Sequence, residues 1–235
     1  MSARATGIRS VAVVVPVRNE EALLGASLDA IDAAIDEVRR SPTWRSVEIV
    51  IVVVLDDCTD GSASIARERE GVVVVEVSFR CVGAVRAHGT AHALGATRVH
   101  PAALWLAHTD GDSRVPREWI TSQLDHAATG ATVVLGSIRP DPADLTPAQV
   151  HTWQLRAESD DALHVYGANL GVRADVYLEA GGFHALAEHE DADLVDRLRC
   201  RDARIARAAG GPVVTSARTS GRTPGGFAAY VRENY

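Results

Sequence analysis

Two aspartates, Asp110 and Asp112, follow a short apolar run near the middle of the chain and are separated by one glycine. Residues 103–107 (ALWLA) read as a buried strand, which the polar segment 108–112 (HTDGD) ends. Carboxylates with this spacing can converge on a hard divalent cation such as Mg²⁺ or Mn²⁺, which takes oxygen ligands and shares them with a diphosphate. Asp-Gly is also an ordinary turn signal, so this motif alone leaves both a metal site and a simple turn open.

Two other apolar runs also end in polar or acidic residues. Residues 11–15 (VAVVV) lead into PVRNE at 16–20, and residues 47–55 lead into Asp56 and Asp57. Runs of this kind, rich in β-branched residues, are typical of strands buried on both faces of a parallel sheet. Acidic groups therefore follow two of these three apolar runs, directly after 47–55 and two residues further on after 103–107.

The elements that would position these residues alternate between strands and helices along the first half of the chain. In chain order we predict a strand at 11–15, a helix at 21–40, a strand at 47–55, a helix at 62–70, a strand at 72–77, a helix at 83–95 and a strand at 103–107. We expect Asn19 to cap the first helix. The alternation predicts a mostly parallel sheet, in which ligands bind beyond the carboxyl ends of the strands. Three polar strand ends would face one crevice, which favours a nucleotide site.

Composition limits the class of protein. The chain has 235 residues with 46% hydrophobic content and a mean hydropathy near zero, which predicts one globular domain. No run approaches the ~18 apolar residues of a membrane span, and residues 1–10 lack the apolar segment of a signal peptide. We therefore expect a cytoplasmic protein without a transmembrane segment. Three separated cysteines predict neither a disulfide nor a zinc site.

Charge and residue usage exclude further classes of function. The formal net charge of −7 argues against a nucleic-acid partner, which is usually bound by a basic face. All 24 basic residues are arginine, so Schiff-base and P-loop chemistry, both of which need lysine, are excluded. No G-x-G-x-x-G follows the first strand, which disfavours an NAD site.

The ordered set of motifs resembles the inverting glycosyltransferases of family 2, which have the GT-A fold. The first half carries VAVVVPVRNEE, IVVVLDDCTDGS, GAVRAHGTAHAL and TDGDSRVP, and the second half carries YGANLGVR, GGF and HEDADL. The resemblance implies an α/β, Rossmann-like fold, with a mostly parallel central sheet flanked by helices and a smaller acceptor-side region. It implies one domain over residues 1–235, with a nucleotide-sugar-binding half at about 10–115 and an acceptor-side half with a C-terminal loop at about 116–235.

The resemblance implies a nucleoside pocket at the first two strand ends. Pro16, Arg18 and Glu20 would line this pocket. Asp56 would bind the base, because a carboxylate can accept a hydrogen bond from an imide N–H. The donor would be a UDP-sugar or a GDP-sugar.

The resemblance also implies a diphosphate and metal site. Asp112 would bind Mn²⁺ or Mg²⁺ directly, and Asp110 would reach the ribose, or the metal through water. Arg86 would lie beside the diphosphate, although a helical arginine is commonly just exposed. Arg218 and Arg222, near a glycine-rich segment, would meet the diphosphate from a closing loop.

On the acceptor side, Asn169 and Arg173 lie on a strand-like stretch, and Glu190 and Asp191 open a helix. By resemblance the acidic pair supplies the general base that removes the proton of the acceptor hydroxyl. We favour Asp191 for this role, with Glu190 second. Acidic side chains also stabilise helix N-termini, where backbone N–H groups are exposed. A purely structural role for Glu190 and Asp191 therefore stays open.

Three alternatives remain. A retaining enzyme of similar fold could use His184 or His189 as a metal ligand. A nucleotidyltransferase is disfavoured because a glycine- and lysine-rich loop is absent after the first strand. A non-catalytic nucleotide-sugar sensor is disfavoured because a sensor needs no base. The acceptor hydroxyl is unidentified, and the amphipathic segment 227–235 could cover a partner subunit in a homodimer.

Overall fold

The computed structural model describes residues 7–159, 164–218, 227 and 231–232. The strands are β1 (Ser10–Val17), β2 (Glu48–Asp56), β3 (Val72–Val77), β4 (Leu104–His108), β5 (Ser113–Arg114), β6 (Val133–Leu135), β7 (Ile138–Pro140), β8 (Leu170–Arg173), β9 (Ile205–Arg207) and β10 (Val213–Thr215). The α-helices are α1 (Leu24–Arg40), α2 (Ser62–Arg67), α3 (Val82–Ala96), α4 (Trp119–Ala128), α5 (Pro147–Ser159), α6 (Ala174–Glu179) and α7 (Glu190–Arg199). No helix in the described part of the chain is both long and apolar enough to cross a membrane.

Within the described residues, seven strands form one sheet in the order β3-β2-β1-β4-β8-β6-β9. The pairs β1–β2, β1–β4 and β2–β3 are parallel, as the sequence predicts. Residues 11–15 are fully buried because both faces of β1 are covered. Val11, Val13 and Val15 pack in one core with α1, and Ala12 and Val14 pack in a second core with α3. The predicted α/β architecture is confirmed.

Strand β8 reverses direction within this sheet. It is antiparallel to both β4 and β6, while β6 and β9 are parallel. Leu170 lies opposite His108 at the carboxyl end of β4, and Arg173 lies opposite Trp105 toward its amino end. The start of β8 therefore lies at the carboxyl end of β4, whereas its last residue lies toward the amino end of β4.

The first helix begins later than the sequence predicts, at Leu24. Asn19 does not cap it, which corrects our expectation. Its backbone has a left-handed φ of 53°, and its side-chain oxygen accepts a hydrogen bond from Thr59 N at 2.7 Å. Asn19 thus connects the loops after β1 and β2, where a polar residue that tolerates positive φ is suited.

A small sheet of described residues, ordered β5-β10-β7, lies beside the Asp-Gly-Asp turn. Strand β10 pairs antiparallel with β5, the strand that directly follows Asp112. Ser216 N donates to the Asp112 carbonyl at 3.3 Å. This pairing brings the segment that ends at Arg218 alongside the carboxylates predicted to bind metal.

Candidate active site

The Asp-Gly-Asp turn lies directly against the end of β1. Gly111 N donates to the Pro16 carbonyl at 3.3 Å. A Cβ at Gly111 would lie 2.9 Å from Val17 Cγ2 and 3.3 Å from that carbonyl oxygen. Only glycine lets the turn approach so closely. Asp110 and Asp112 are thereby held at the carboxyl ends of adjacent parallel strands.

Arg218 joins two carboxylates from distant parts of the chain. Its Nη1 and Nη2 donate to the two oxygens of Glu20 at 2.7 and 2.8 Å, and Nη2 lies 3.0 Å from Asp112 Oδ2. Such a bidentate pair fixes the orientation of the guanidinium. Glu20, predicted for the nucleoside pocket, is therefore paired with the arginine that contacts Asp112. Arg222 lies outside the described residues, so its predicted role stays a prediction.

Arg86 lies between a second pair of carboxylates, those of Asp110 and Glu190. Its side chain is 2% exposed, so it is not a surface arginine. Its Nη2 lies 2.5 Å from Asp110 Oδ1, and its Nε lies 3.0 Å from Glu190 Oε1. Burial lowers the pKa of the Arg86 guanidinium, but the charges of Asp110 and Glu190 raise this pKa by more than burial lowers it. The pKa of Arg86 therefore lies above its usual value. Arg86 is a permanent cation that links the Asp-Gly-Asp turn to the start of α7.

The two clusters carry an excess of negative charge. Among the described residues, carboxylates from Glu20, Asp110, Asp112 and Glu190 face two guanidinium groups. Burial raises the pKa of Asp112 to about 6, the charges of Asp110 and Glu20 add to this rise, and Arg218 opposes it. A cation beside Asp112 would relieve this repulsion.

The donor set also suits a cation that shares its ligands with a bound molecule. No group of three or more His, Cys, Asp or Glu side chains in the described residues could hold a metal ion by itself. Mg²⁺ and Mn²⁺ commonly bind through one or two carboxylates, with substrate phosphate oxygens completing the shell. Asp112, with Asp110 beside it, fits this mode.

Asp56 lies at the end of β2, two strands away from the Asp-Gly-Asp turn. It is 4% exposed, and its Oδ1 accepts a hydrogen bond from Arg80 N at 2.9 Å. The neighbouring Asp57 Oδ2 accepts from Arg80 Nε at 2.7 Å and lies 3.8 Å from Arg18 Nη2. Arg18 and Asp56 therefore lie near each other at the carboxyl ends of β1 and β2, and a nucleoside contact stays a prediction for both.

The two acidic residues at the start of α7, Glu190 and Asp191, differ in burial and in the groups that they contact. Glu190 is 7% exposed and is engaged by Arg86. Asp191 is less buried, and its Oδ2 and Oδ1 accept from Gly167 N at 2.5 Å and Ala192 N at 2.7 Å. These two bonds fix the carboxylate and leave each oxygen a further lone pair. Asp191 is the better placed of the two to accept a proton.

Asn169 is at the crevice end of β8 but is buried, at 2% exposure. Its Oδ1 accepts from Trp119 Nε1 at 2.9 Å, and its Nδ2 donates to the Ser137 carbonyl at 2.8 Å. Its amide therefore joins α4 to the loop before β7. Contact with an acceptor stays a prediction for this residue.

Arg173 is placed away from the crevice, which corrects its assignment to the acceptor side. It pairs with Trp105, toward the amino end of β4. Its guanidinium is bidentate to Asp175, with bonds of 2.7 and 2.8 Å. The motif was read correctly as a strand, but the antiparallel direction of β8 carries its last residue to the opposite edge of the sheet.

Three polar groups at the site were missed by sequence reasoning. The hydroxyls of Ser113 and Thr215 lie 3.2 and 3.4 Å from Asp112 Oδ1, and Arg80 contacts both Asp56 and Asp57. Ser113 directly follows the Asp-Gly-Asp motif, which is a usable signal. Thr215 and Arg80 carry none, because only tertiary contacts bring them to the site.

The segment 184–189 crosses the start of α3 at Gly83. Gly83 N donates to the Leu186 carbonyl at 3.0 Å, and a Cβ at Gly83 would lie 2.1 Å from the His184 carbonyl oxygen. His184 Nδ1 lies 3.0 Å from Asp193 Oδ2 on α7. The segment that leads to the acidic pair is therefore seated on a helix that has no room for a side chain at this point.

We expect Gly83→Ala to lower the free energy of unfolding by about 1–3 kcal/mol, because backbone atoms must move to admit the Cβ. Gly95→Ala, on the same helix, is the matched control. No atom lies within 4 Å of a Cβ there, so the substitution is expected to be neutral or to stabilise by about 0.5–1 kcal/mol. Urea unfolding of the two variants measures this difference. Equal stability would mean that segment 184–189 is not seated on α3.

Solved structures with similar folds come from several organisms. Glucosyl-3-phosphoglycerate synthase from Mycobacterium tuberculosis, solved with Mn²⁺, UDP and phosphoglyceric acid, has a TM-score of 0.61 and 19% identity, over 96% of this chain and 77% of that one. Mannosyltransferase PcManGT from Pyrobaculum calidifontis, solved with GDP-Man and Mn²⁺, has a TM-score of 0.61 and 21% identity, over 90% and 58%. TarS 1–349 from S. aureus, solved with UDP, has a TM-score of 0.61 and 14% identity, over 89% and 61%. The chain has the GT-A fold.

Comparisons of the sequence also find related transferases. The chain is 33% identical over 167 residues to undecaprenyl-phosphate 4-deoxy-4-formamido-L-arabinose transferase from Pseudomonas aeruginosa. The match covers 68% of this chain and 45% of that protein, so the chain spans less than half the length of this curated relative. The family model Glycosyl transferase family 2 matches residues 12–176, more than half of the chain. The chain belongs to glycosyl transferase family 2.

Proposed function

We propose that the protein transfers a sugar from a UDP-sugar or GDP-sugar to an acceptor hydroxyl, with a divalent metal ion and with inversion at the anomeric carbon. One observation carries this proposal. Arg218 and Arg86 each join carboxylates from different elements, Glu20 with Asp112 and Asp110 with Glu190, at the carboxyl ends of parallel strands in a family 2 chain.

The donor would lie across three strand ends. The ends of β2 and β4 are separated by β1, which is about 10 Å for two strand spacings. An extended nucleoside diphosphate spans such a distance between its base and its diphosphate. The base would bind beside Asp56 and the diphosphate beside Asp112, where Arg218 could donate to phosphate oxygens.

Asp112, with Asp110 beside it, would hold Mn²⁺ or Mg²⁺. The M. tuberculosis and P. calidifontis structures, which share the fold, contain Mn²⁺, and this supports a divalent ion at the same place in the fold here. When bound, the ion would stabilise the charge that develops on the departing diphosphate. Glu20 and Arg218 would orient the Asp112 carboxylate through the contacts that they already make.

Asp191 would be the general base. Its carboxylate would take the proton of the acceptor hydroxyl as the acceptor oxygen forms a bond to the anomeric carbon. The bond between that carbon and the diphosphate oxygen breaks, and the electron pair leaves with the nucleoside diphosphate. Attack opposite to the leaving group inverts the anomeric configuration. Arg86 and Glu190 would position the start of α7, and thus Asp191, relative to the Asp-Gly-Asp turn.

The remaining expectations are also proposals. Residues from about 10 to 115 would form the donor half, and those from about 116 to 235 the acceptor half of one domain. We further propose a cytoplasmic location and a homodimer.

A thermal-shift screen tests the proposal. Ligand that binds the folded state raises its stability by mass action. A nucleoside diphosphate at about 100 times its Kd should raise Tm by roughly 5–10 °C when Mn²⁺ is present. Failure of every nucleoside diphosphate and sugar nucleotide to shift Tm would contradict the proposed donor site.

A further inference from the structure

We infer that Asp144 is a positioning residue for the donor and metal site, because its carboxylate holds the segment of chain that presents Arg218 to Asp112. The inference rests on the proposed function and adds to it a residue that acts through another. Asp144 is exposed and lies on the loop between β7 and α5.

The segment between the end of β10 and Arg218 is held by three different bonds. Strand β10 ends at Thr215, so Arg218 is the third residue after it. Ser216 N donates to the Asp112 carbonyl at 3.3 Å. Ala217 is buried, and its N–H donates to Asp144 Oδ2 at 2.8 Å. Arg218 N donates to Ser216 Oγ at 3.3 Å. Backbone polar groups that leave water need such partners, so these bonds define the path of the chain up to Arg218.

The Asp144 carboxylate supports two of these three N–H groups. Its Oδ2 accepts from Ala217 N and also from Ser216 Oγ, at 3.2 Å. A hydroxyl that donates its hydrogen still accepts through its lone pairs. Ser216 Oγ can therefore donate to Asp144 while it accepts from Arg218 N. Asp144 thus acts on Ala217 directly and on Arg218 through the Ser216 hydroxyl.

Asp144 is itself held in place by its own turn. It ends the 3-10 turn Pro142–Asp144, and its N–H donates to the Asp141 carbonyl at 3.0 Å. Asp141 N donates to the Thr215 carbonyl at 2.8 Å, and Asp141 Oδ2 accepts from Arg114 Nη2 at 2.7 Å. The turn is therefore bound to β5 and to β10, the two strands next to the Asp-Gly-Asp turn. Asp144 is a preorganised acceptor for the segment that follows β10.

The guanidinium of Arg218 needs this support because its contacts are geometrically demanding. It is bidentate to Glu20 and lies 3.0 Å from Asp112 Oδ2, and a planar fork makes such contacts only in a narrow range of positions. Without Asp144, the residues before Arg218 would have to be ordered each time the guanidinium meets the site. That ordering costs conformational entropy, which would be lost from the affinity for metal and donor.

Isothermal titration of the full chain with UDP and with GDP in Mn²⁺ tests the inference. For the nucleotide that binds tighter, Asp144→Ala should weaken binding by about 5–30-fold, the cost of ordering one backbone residue. Asp144→Asn keeps an amide oxygen that can accept from the same two donors, so its affinity should stay within about threefold of wild type. Asp36→Ala removes an exposed carboxylate on α1 and is the control for lost charge. Its affinity should equal that of wild type.

A double-mutant cycle with Arg218→Met shows whether the effect runs through the guanidinium. When Arg218→Met is already present, Asp144→Ala should change the affinity by less than about twofold, because the two residues act as one unit. An unchanged loss of about 5–30-fold in that background would overturn the inference, since a general weakening of the fold would be additive. If Arg218→Met binds neither nucleotide, the comparison of Asp144→Ala with Asp144→Asn decides.

The remaining outcomes separate this inference from the proposed function. Wild-type affinity in folded Asp144→Ala overturns the inference but leaves the proposed transferase intact, and so does an equal loss in Asp144→Asn. No binding of either nucleotide to the wild type overturns both. If Asp144→Ala fails to fold, Ser216→Ala decides, because it removes the hydroxyl between Asp144 and Arg218 N. Its affinity should fall by about 2–10-fold, the usual range for one neutral hydrogen bond, and wild-type affinity would overturn the inference.

Discussion

Asp112→Asn is expected to abolish Mn²⁺-dependent binding of UDP while the protein stays folded. Loss of groups that only support a metal ligand already costs about 10–100-fold in metal affinity, so loss of the ligand itself should cost at least about 100-fold. Titration of UDP with Mn²⁺ and with EDTA, for the wild type and the variant, measures the effect. The variant should give the same weak affinity under both conditions.

The fold should tolerate this substitution. Burial and the charges of Asp110 and Glu20 raise the folded-state pKa of Asp112 to about 6. The ionised form therefore weakens the fold as pH rises from the unfolded pKa near 4 through about 6. Asparagine removes that cost, so unfolding at pH 7 should require at least as much free energy. Asp196→Asn, at an exposed ion pair on α7, is the control for lost charge. Undiminished metal-dependent binding in folded Asp112→Asn would remove the metal assignment.

Asp191→Asn is expected to retain donor affinity and to lose roughly 10²–10⁴-fold in turnover, the usual contribution of a positioned general base. Asparagine matches the size of aspartate but cannot accept the acceptor proton. It offers one oxygen where Asp191 accepts from both Gly167 N and Ala192 N, so we expect a loss of about 1 kcal/mol in stability. Single-turnover transfer at saturating donor, once an acceptor is identified, measures the rate.

Glu190→Gln tests the positioning role of Glu190. Glu190 is engaged by Arg86, so its loss should lower stability and disturb the position of α7. A turnover of Asp191→Asn within a few-fold of wild type would exclude Asp191 as the base. The assignment would then move to Glu190 or to a retaining mechanism.

The parallel half of the fold could be predicted because its signals are local. The run at 11–15 contains β-branched residues at every position but one and is buried on both faces, and acidic residues follow the runs that end at Leu55 and Ala107. Sheet order and the common direction of these strands bring those ends together. Residue type, spacing and a general rule of topology were therefore sufficient to place the acidic strand ends at one edge of the sheet.

The contacts that join the crevice could not be predicted in the same way. Arg218 and Glu20 are 198 residues apart, and no local pattern states that they meet. The wrong assignment of Arg173 has the same origin, since its strand was recognised but the strand's direction depends on its neighbours in the sheet. Asp56 illustrates a third limit. The family resemblance implied base recognition by Asp56, whereas the hydrogen bond from the Arg80 backbone to one of its oxygens has no signal in the sequence.

The most direct test of the account is a crystal structure of the full chain with UDP and Mn²⁺, with Mn²⁺ located by its anomalous scattering. We expect an anomalous peak against the Asp112 carboxylate, the diphosphate oxygens on the same ion, the base beside Asp56, and Asp191 on the far side of the bound diphosphate. An ion bound away from Asp112, or a base bound away from Asp56, would contradict it.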